Sequence, residues 1–368
     1  MATQSDPERV TILVGGQAHS EWSTYEIDSD LLTPADAWSV TLGLQPGNKV
    51  PEVTKPGADV EVRVGKDVVM KGKIDDVNHV VARSNPSLFM SGRDAAAVLV
   101  DCSAPIFVAK EISLEEVIAK VVRPLGITAV RIDAETTQRA EKINVDPGAS
   151  AWDVLRSSAE ANGLWPWFEP DGTLVVGGPD YEAEPVADLI LRNNGEGNNV
   201  LSLNHSRSIA ARYSEVTVLG QTHGTASDVG KHNVKAVAKD GDVSFYRPKI
   251  EVDGDVENVA AAHSRARKYV ADSRLNGTTL KADVKGHRTS SGALWQPGQR
   301  VRVISEPHDI DAVYFLMARK FSGGRGKQTL TSLTLKEDGV WVLDARKRKA
   351  RRKKGRGKKL TPTILDLQ

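Results

Sequence analysis

One short segment holds most of the side chains that could act in covalent catalysis. Residues 92–105 read GRDAAAVLVDCSAP and contain Arg93, Asp94, Asp101 and the single cysteine of the chain, Cys102. A nucleophilic cysteine needs a neighbouring base to form its thiolate, and no histidine lies within twenty residues of Cys102 in the sequence. We therefore interpret Cys102 as a small buried hydrophobic residue. We expect Arg93 and Asp94 to form a local ion pair where a strand meets a helix.

Metal and cofactor chemistry is not indicated by the sequence. The eight histidines are scattered without an HExxH or HxH spacing, and one cysteine cannot form an intramolecular disulfide or a cysteine-based zinc site. The GxSxG, P-loop and strand-linked GxGxxG motifs are missing as well. We predict a chain with no catalytic centre, no metal site and no cofactor.

Glycoside hydrolysis would need two carboxylates that face one cleft. Asp75 and Asp76 are adjacent on a predicted strand, so their side chains point to opposite faces and form a poor pair. Trp152 and the WPWF run at 165–168 offer rings on which a sugar could stack, but we interpret them as core packing beside a helix. Peptidoglycan hydrolysis therefore stays an alternative for which the sequence shows no carboxylate pair.

The formal net charge of +1 hides a strong asymmetry. Residues 346–368 hold 11 of the 49 Lys and Arg residues and one acid, so 38 basic and 47 acidic residues remain and give residues 1–345 a charge of −9. We interpret the basic arm as a ligand for a polyanion, either DNA or an acidic protein surface. Its basic residues are Arg346, Lys347, Arg348, Lys349, Arg351, Arg352, Lys353, Lys354, Arg356, Lys358 and Lys359.

The last eight residues, TPTILDLQ, differ from the basic arm in composition. They contain Ile364, Leu365 and Leu367, which a purely solvated tail does not need. An apolar segment of this length can add as a strand to the exposed sheet edge of a partner. We predict that these three residues dock on another protein.

A Pro-Gly pattern occurs twice, 241 residues apart. KPGADVEVRV (55–64) places Pro56-Gly57 before a Val-x-Val strand, and QPGQRVRVIS (296–305) does the same with Pro297-Gly298. In each case a second apolar strand and a third strand follow, and the alternation of Val with charged residues is typical of a strand with one buried face. The shared order predicts that one β-unit is used twice.

The 368 residues are too many for one ordinary core, which predicts several domains. We expect a mainly β fold with two β-barrel domains and small α+β modules. The predicted divisions are a first barrel over 1–102, α+β modules over 103–202, a second barrel with a long helix (Val256 to Leu275) over 203–343, and the arm over 344–368. The sequence contains no run of 18 apolar residues, so we predict no membrane span. The first ten residues, MATQSDPERV, do not resemble a secretory signal.

Three stretches resemble a known family. GRDAAAVLVDCSAP after a β-rich first region, LWQPGQRVRV near the end of the second, and FLMARKFSGGRGKQTLTSLTL after it are similar to baseplate hub proteins of Mu-like contractile phage tails. More broadly they resemble late-control tail proteins and the hub part of type VI secretion spike proteins. The resemblance covers residues 8–343. Its structural signature consists of Pro56, Gly57, Gly92, Arg93, Asp94, Asp101, Cys102, Trp295, Pro297 and Gly298.

The resemblance implies a structural protein and not an enzyme. It implies two barrels similar to the tail-tube fold in each chain, and a homotrimer whose six barrels form a pseudo-hexameric ring. That ring joins the tail tube protein to a trimeric membrane-piercing spike protein, next to other baseplate proteins. The implied location is the tail baseplate of a virion, assembled in the host cytoplasm, without stable membrane insertion. A tail-associated peptidoglycan hydrolase and a nucleic-acid-binding protein acting through the arm remain the alternatives.

Overall fold

The computed structural model describes residues 6–45, 50–82, 86–134, 140–220, 234–253, 256 and 258–343. Its strands are β1 (Val10–Val14), β2 (Gln17–His19), β3 (Thr24–Asp30), β4 (Ala37–Gly43), β5 (Asp59–Val64), β6 (Asp67–Val80), β7 (Ser87–Asp94), β8 (Val108–Ile112), β9 (Val130–Ile132), β10 (Ala140–Asn144), β11 (Trp165–Phe168), β12 (Leu174–Gly177), β13 (Asp188–Leu191), β14 (Val200–Arg207), β15 (Glu215–Gly220), β16 (Val234–Lys239), β17 (Pro248–Val252), β18 (Thr278–Lys285), β19 (Arg300–Ser305), β20 (Ile310–Gly324) and β21 (Lys327–Glu337). Its α-helices are α1 (Ala97–Asp101), α2 (Leu114–Val117), α3 (Ala151–Ala161) and α4 (Val259–Gly277).

Two six-strand units with the same order of pairing make up most of the β structure. In the first unit the strands lie in the order β3-β4-β7-β6-β5-β1, and in the second they lie in the order β14-β18-β21-β20-β19-β13. When the six strands of each unit are ranked by their position along the chain, the order of pairing is the same in both units. The chain therefore connects the strands in the same way twice. The units differ at their last strand, because β1 is antiparallel to β5 whereas β13 is parallel to β19.

The two Pro-Gly turns hold equivalent places in these units. Gly57 and Gly298 have φ angles of +84° and +93°, a conformation that glycine adopts without strain. Gly57 N donates to Ile74 O and Gly298 N donates to Leu316 O, each at 2.8 Å. A β-bulge follows Ile74 in β6 and Leu316 in β20. The prediction that the two Val-x-Val strands are equivalent is confirmed by this pairing.

The two units join into one sheet because β20 of the second unit pairs with β3 of the first. Among the described residues, no ladder closes either unit into a ring. The buried faces of both units contribute to one hydrophobic cluster, which includes Ile27, Val62, Val301 and Phe321. The prediction of a mainly β chain with small α+β modules is confirmed, and the units are parts of a continuous sheet.

One α+β module follows the first unit and has its own core. Helix α2 starts with a capping box, in which Ser113 Oγ accepts from Glu116 N and the Glu116 carboxylate accepts from Ser113 N. Helix α3 starts after Ser150, whose side chain caps it, and packs into the core of this module with Leu155. A turn at 170–172 connects β11 to β12.

A second module is inserted into the second unit between β14 and β18. Strands β15, β16 and β17 form a small sheet, and α4 covers one face of it through Ala262 and Ala266. Ser208 N donates to Gly277 O at 2.7 Å, so the insertion leaves and returns at neighbouring points. The helix begins three residues later than predicted, because the Asn258 side chain caps it. No helix in the described part of the chain is long and apolar enough to cross a membrane.

Candidate functional site

The joined sheet presents one polar face along eight antiparallel strands, from β14 through β18, β21, β20, β3, β4 and β7 to β6. On each strand alternate side chains enter the core, and the residues between them form this face. Its members include Glu26, Asp28, Ser39, Ser91, Asp76, Asn78, Lys320, Ser332, Asp283, Lys281, Asn204 and Ser206. We name it the polar face. An open cleft of about 650 Å³ lies over its central strands.

Short polar contacts hold the side chains of the polar face. Ser202 Oγ and Ser332 Oγ, from strands on either side of β18, each donate to an Asp283 oxygen at 2.6 Å. Lys320 on β20 pairs with Glu26 on β3 at 2.6 Å. Hydroxyl and amide side chains with charges of both signs are suited to a surface that faces water. The contacts named above are hydrogen bonds and an ion pair, and they do not form a catalytic group.

The boundary between the two units contains a buried arginine. Arg319 is 4% exposed, donates to Ile27 O at 2.9 Å and lies 4.0 Å from the centre of the Phe321 ring. Burial lowers the pKa of Arg319 to about 10, while Asp36 and Asp28 favour its charged form. Burial also raises the pKa of Asp36 to about 6, against hydrogen bonds that lower it. The boundary therefore places the buried Arg319 of the second unit near the part-buried carboxyl group of Asp36 in the first unit.

His287 makes a second buried connection between the units. Its Nε2 lies 2.9 Å from Tyr25 Oη in β3, and its Nδ1 lies 3.1 Å from Thr331 Oγ1 in β21. Burial, together with the nearby Arg319 and Arg288, lowers the pKa of His287 to about 3. The ring is therefore neutral at physiological pH. It acts as a structural bridge at this position.

The predicted ion pair between Arg93 and Asp94 is wrong. Adjacent residues of a strand point to opposite faces, and Arg93 instead pairs at 2.7 Å with Asp101 at the end of α1 and with Asp75 on β6. The hydrogen bonds that Arg93 donates to the Asp101 and Asp75 carboxylates raise its pKa. Asp94 is buried and accepts from Ala96 N at 2.9 Å, and its pKa is raised by burial and by Asp36. These contacts hold α1 against the first unit, and Leu99 of α1 packs in the core of the α+β module.

The other signature residues of the first unit also have structural contacts. A Cβ atom on Gly92 would lie 2.0 Å from Lys73 O and 2.9 Å from the Trp38 ring, so only glycine fits between β6 and β4. Cys102 is half-buried and lines a cleft of about 810 Å³ between β5, β6, α1 and residues 125–127. Within the described residues no histidine lines that cleft.

Trp295 and the Pro-Gly turns complete the signature. Trp295 is buried in the shared cluster, and its backbone N donates to His287 O at 3.1 Å. In the described ranges no group of three His, Cys, Asp or Glu side chains is placed to hold a metal ion. The eleven basic residues of the arm and Ile364, Leu365 and Leu367 lie outside the described residues.

The sequence interpretation missed the boundary residues Arg319, Asp36 and His287. For Arg319 a signal was present in the sequence. It lies two residues before Phe321 on an apolar strand, and residues two apart on a strand point to the same face, so Arg319 occupies an inward position. No comparable pattern marks His287, whose neighbours in sequence lie outside a strand.

Comparison with known families gives matches in sequence order along the chain. A model of the Mu phage baseplate assembly protein GpP-like N-terminal domain matches residues 9–94, and one of the baseplate hub protein gp44-like second domain matches residues 96–178. The tail protein NMB1110-like third domain matches residues 212–270, and a tail protein C-terminal domain matches residues 272–340.

Individual proteins agree with these matches. The crystal structure of the tail protein from Neisseria meningitidis MC58 is 41% identical, with 92% of this chain and 98% of that chain covered and a TM-score of 0.82. The 43 kDa tail protein of prophage MuSo2 from Shewanella oneidensis is 22% identical, with 90% and 99% covered and a TM-score of 0.81. Baseplate hub protein gp44 of Escherichia phage Mu is 24% identical over 321 residues, which are 84% of this chain and 82% of gp44.

A more distant structure shares the fold alone. The E. coli c3393 protein, described as a component of the type VI secretion system with structural similarity to T4 bacteriophage tail proteins gp27 and gp5, is 12% identical. The match covers 90% of this chain and 78% of that chain, with a TM-score of 0.59.

Proposed function

Since the chain belongs to the Mu-like baseplate hub proteins of phage tails, we propose that three copies form a ring that joins the tail tube to the spike. A protein of this family acts in the tail baseplate of a virion. The observation that carries the proposal is the duplicated unit, whose two copies share one order of strands and one continuous sheet. Three chains with two units each present six similar positions to a six-fold tube. Because the two units of a chain differ, the same ring has exact three-fold symmetry, which matches a three-fold spike.

The polar face supports this function by its chemistry. Its side chains are mostly polar and of mixed charge, as the wall of a water-filled channel requires. Most hydrophobic side chains of the same strands lie in the shared core on the opposite face, whereas Phe89 on β7 and Val80 at the end of β6 are exposed on the polar face. We propose that the polar face lines the channel of the ring.

We propose a domain division adjusted to the observed clusters. The first unit spans 1–102 and an α+β module follows it to about residue 180. The second unit runs to residue 343 and carries residues 208–277 as an inserted module. The arm over 344–368 is a separate part. The predicted boundary at 202 would cut the second unit, because β13 pairs with β19.

The ring is tested by light scattering on the full chain, alone and mixed with the spike protein of the same tail. We expect a particle with the mass of three chains, at least when the spike is present. A stable particle of two or six chains with the spike bound would contradict the three-fold ring.

The relatives are structural tail proteins, which makes enzymatic activity unexpected, and we propose that the chain has no catalytic centre. A peptidoglycan zymogram tests the alternative of a hydrolase. The full chain should leave no cleared band. A cleared band that disappears in the Cys102→Ser or Asp94→Asn variant would support the hydrolase.

We propose separate partners for the two parts of the C-terminal arm. Residues 346–359 concentrate positive charge and bind an anionic surface, either DNA or an acidic protein, while residues 360–368 dock on the spike or another baseplate protein. Deleting 346–359 should weaken binding in the same way as high salt does. Deleting 360–368 should weaken partner docking at all salt concentrations. If both deleted forms assemble tails at normal yield, the arm has neither role.

A further inference from the structure

The inserted module has an edge strand, β17, that is open and apolar. The sheet of this module has the order β16-β15-β17, so β17 pairs with β15 on one side and has no strand partner on the other side among the described residues. Its side chains Ile250 and Val252 are 65% and 79% exposed. Proteins usually protect such an edge, because an exposed strand with apolar side chains pairs with other segments. A segment that covers β17 is therefore to be sought.

The other edge of the same sheet is already protected by charge. Strand β16 carries Lys235 and Lys239, which are exposed and lie on the same face of the sheet as Ile250 and Val252. Lysine side chains on an edge strand discourage pairing with another strand. In the described part of the module, the two edges therefore differ, and β17 is the one suited to an added strand.

The two faces of β17 differ in chemistry. Lys249 and Glu251 lie on the face opposite to Ile250, where they form an ion pair at 2.5 Å. Lys249 Nζ also lies 5.2 Å from the centre of the Tyr213 ring and 5.7 Å from the centre of the Tyr269 ring. A segment that adds to this edge should therefore bring apolar side chains to one face and a carboxylate, for the lysine, to the other.

One segment outside the described residues has this pattern. Residues 363–367 read TILDL, and strand alternation places Leu365 and Leu367 on one face and Asp366 on the other. Pro362, just before the segment, has no amide hydrogen, which is compatible with the start of an edge strand. The segment thus offers an apolar face and an acid on the opposite face, which match the two faces of β17.

The chain can reach this edge from the point where its described part ends. Leu343 packs in the cluster that contains Leu275, near the end of α4 and the base of the inserted module. Strand β17 starts at the same base, because Arg247 Nη2 donates to Ala210 O at 2.8 Å. Helix α4 has 19 residues and is about 28 Å long. Residues 344–362 span up to about 60 Å when extended, so the connection is long enough.

We propose that residues 363–367 add to β17 of their own chain as an antiparallel strand. In the proposed register Leu365 lies opposite Ile250. Asp366 then lies opposite Lys249. The contact belongs to the free chain, so it goes beyond the proposed function, in which the same segment docks on the spike or another baseplate protein in the tail. While the segment covers β17, free chains do not pair through this edge, and the segment leaves β17 when it docks.

Charge selects the register. Antiparallel pairing is the more stable of the two directions per residue. A shift by two residues either places Asp366 opposite Glu251 or moves it beyond the start of β17. Like charges directly opposite each other destabilise a strand pair, so the first shift is disfavoured, and the second loses the contact with Lys249. In the proposed register Leu365 is also the diagonal neighbour of Val252 and helps to cover it.

Engineered cysteines test the contact in the free chain. On a Cys102→Ser background, a chain with Ile250→Cys and Leu365→Cys is oxidised at low protein concentration and separated without reductant. Residues directly opposite each other in a strand pair have the Cα separation that a disulfide needs, so we expect a bond within one chain and a monomer of altered mobility.

The matched control is Lys239→Cys with Leu365→Cys, because a freely moving arm reaches both edges of the same small sheet. We expect its bond to form at least about ten times more slowly, since a held segment raises the effective concentration of its thiol at one site. Both sheet positions are exposed, so the reduced variants should unfold in urea like the Cys102→Ser parent. Equal rates for the two pairs would overturn the contact.

Hydrogen exchange gives a second measurement without cysteines. Amides of residues 249–252 should exchange at least about ten times more slowly in the full chain than in a Leu365→Asp, Leu367→Asp variant, which keeps the length and the basic residues of the arm. Residues 234–239 of β16 should exchange equally in both. Unchanged exchange of residues 249–252, or disulfides that form mainly between chains, would overturn the contact within the chain. Neither measurement uses the spike or assembled tails, so its failure would leave the proposed ring intact.

Discussion

Replacing His287 with glutamine should change how stability depends on pH. The ring is fully buried and bridges Tyr25 and Thr331, so His287→Gln removes or weakens two buried hydrogen bonds. At pH 8 this should lower the free energy of unfolding by about 1–3 kcal/mol. The variant should lose this disadvantage as the pH falls.

The sign follows from the lowered pKa. Burial, with Arg319 and Arg288 nearby, lowers the pKa of folded His287 to about 3 from its usual 6.5. Below pH 6.5 the unfolded chain therefore binds a proton that the folded chain does not. The parent loses up to about 1.4 kcal/mol of unfolding free energy per pH unit, or about 2.7 kcal/mol in total between pH 8 and pH 4.5. Glutamine does not titrate, so the variant is free of this loss.

The difference between the two proteins is the quantity to measure, because Asp36 works in the opposite direction. Its pKa is raised to about 6 by burial, so the folded chain takes up that proton first as the pH falls from 6 towards 3.8. The two effects oppose each other in the parent. Subtracting the variant curve from the parent curve isolates His287.

The assay is urea unfolding at fixed protein concentration from pH 4.5 to pH 8, followed by tryptophan fluorescence. The stability advantage of the parent should shrink below pH 6.5 and reverse between pH 5.5 and pH 4.5. Tyr25→Phe is the control, because it removes one bond of the cluster and leaves the ring in place. Its difference from the parent should be constant, since burial raises the pKa of the Tyr25 hydroxyl above 10. Parallel curves for the parent and His287→Gln would refute the reasoning.

Three further predictions concern the first unit. Gly92→Ala should lower the unfolding free energy by about 1–3 kcal/mol, measured by urea unfolding, because its methyl group would overlap Lys73 O and the Trp38 ring; unchanged stability would contradict this contact. Asp36→Asn should gain up to about 3 kcal/mol relative to the parent above pH 6, and this gain should vanish below pH 4 in the same assay, because the parent carries the cost of a buried carboxylate only when it is ionised. Cys102→Ser should assemble into tails at nearly normal yield, counted by electron microscopy, since the half-buried thiol lines an open cleft; a complete loss of assembly would show a larger role.

The duplicated unit could be predicted because its signals are local. Pro56-Gly57 and Pro297-Gly298 mark turns whose geometry depends on two residues, and the alternation in Val60–Val64 marks a buried face. The helix starts at Ser113 and Ser150 depend on signals of the same local kind, since a capping side chain acts within three residues.

The joining of the units could not be predicted, because it depends on contacts between distant parts of the chain. Pairing of β3 with β20 brings together residues nearly 300 positions apart. The partner of Arg93 was assigned wrongly for a related reason, because Asp75 and Asp101 reach it only after β6 and α1 are in place. The pairing of β14 with β18 could not be predicted either, since the insertion over 208–277 separates these two strands in the sequence.

Electron cryo-microscopy of the end of the tail, processed without imposed symmetry, tests the central claim most directly. We expect three hub chains around the axis, with first and second units alternating at six positions and their polar faces towards the channel. A ring of six chains, or a ring in which the two units occupy unrelated radial positions, would contradict it.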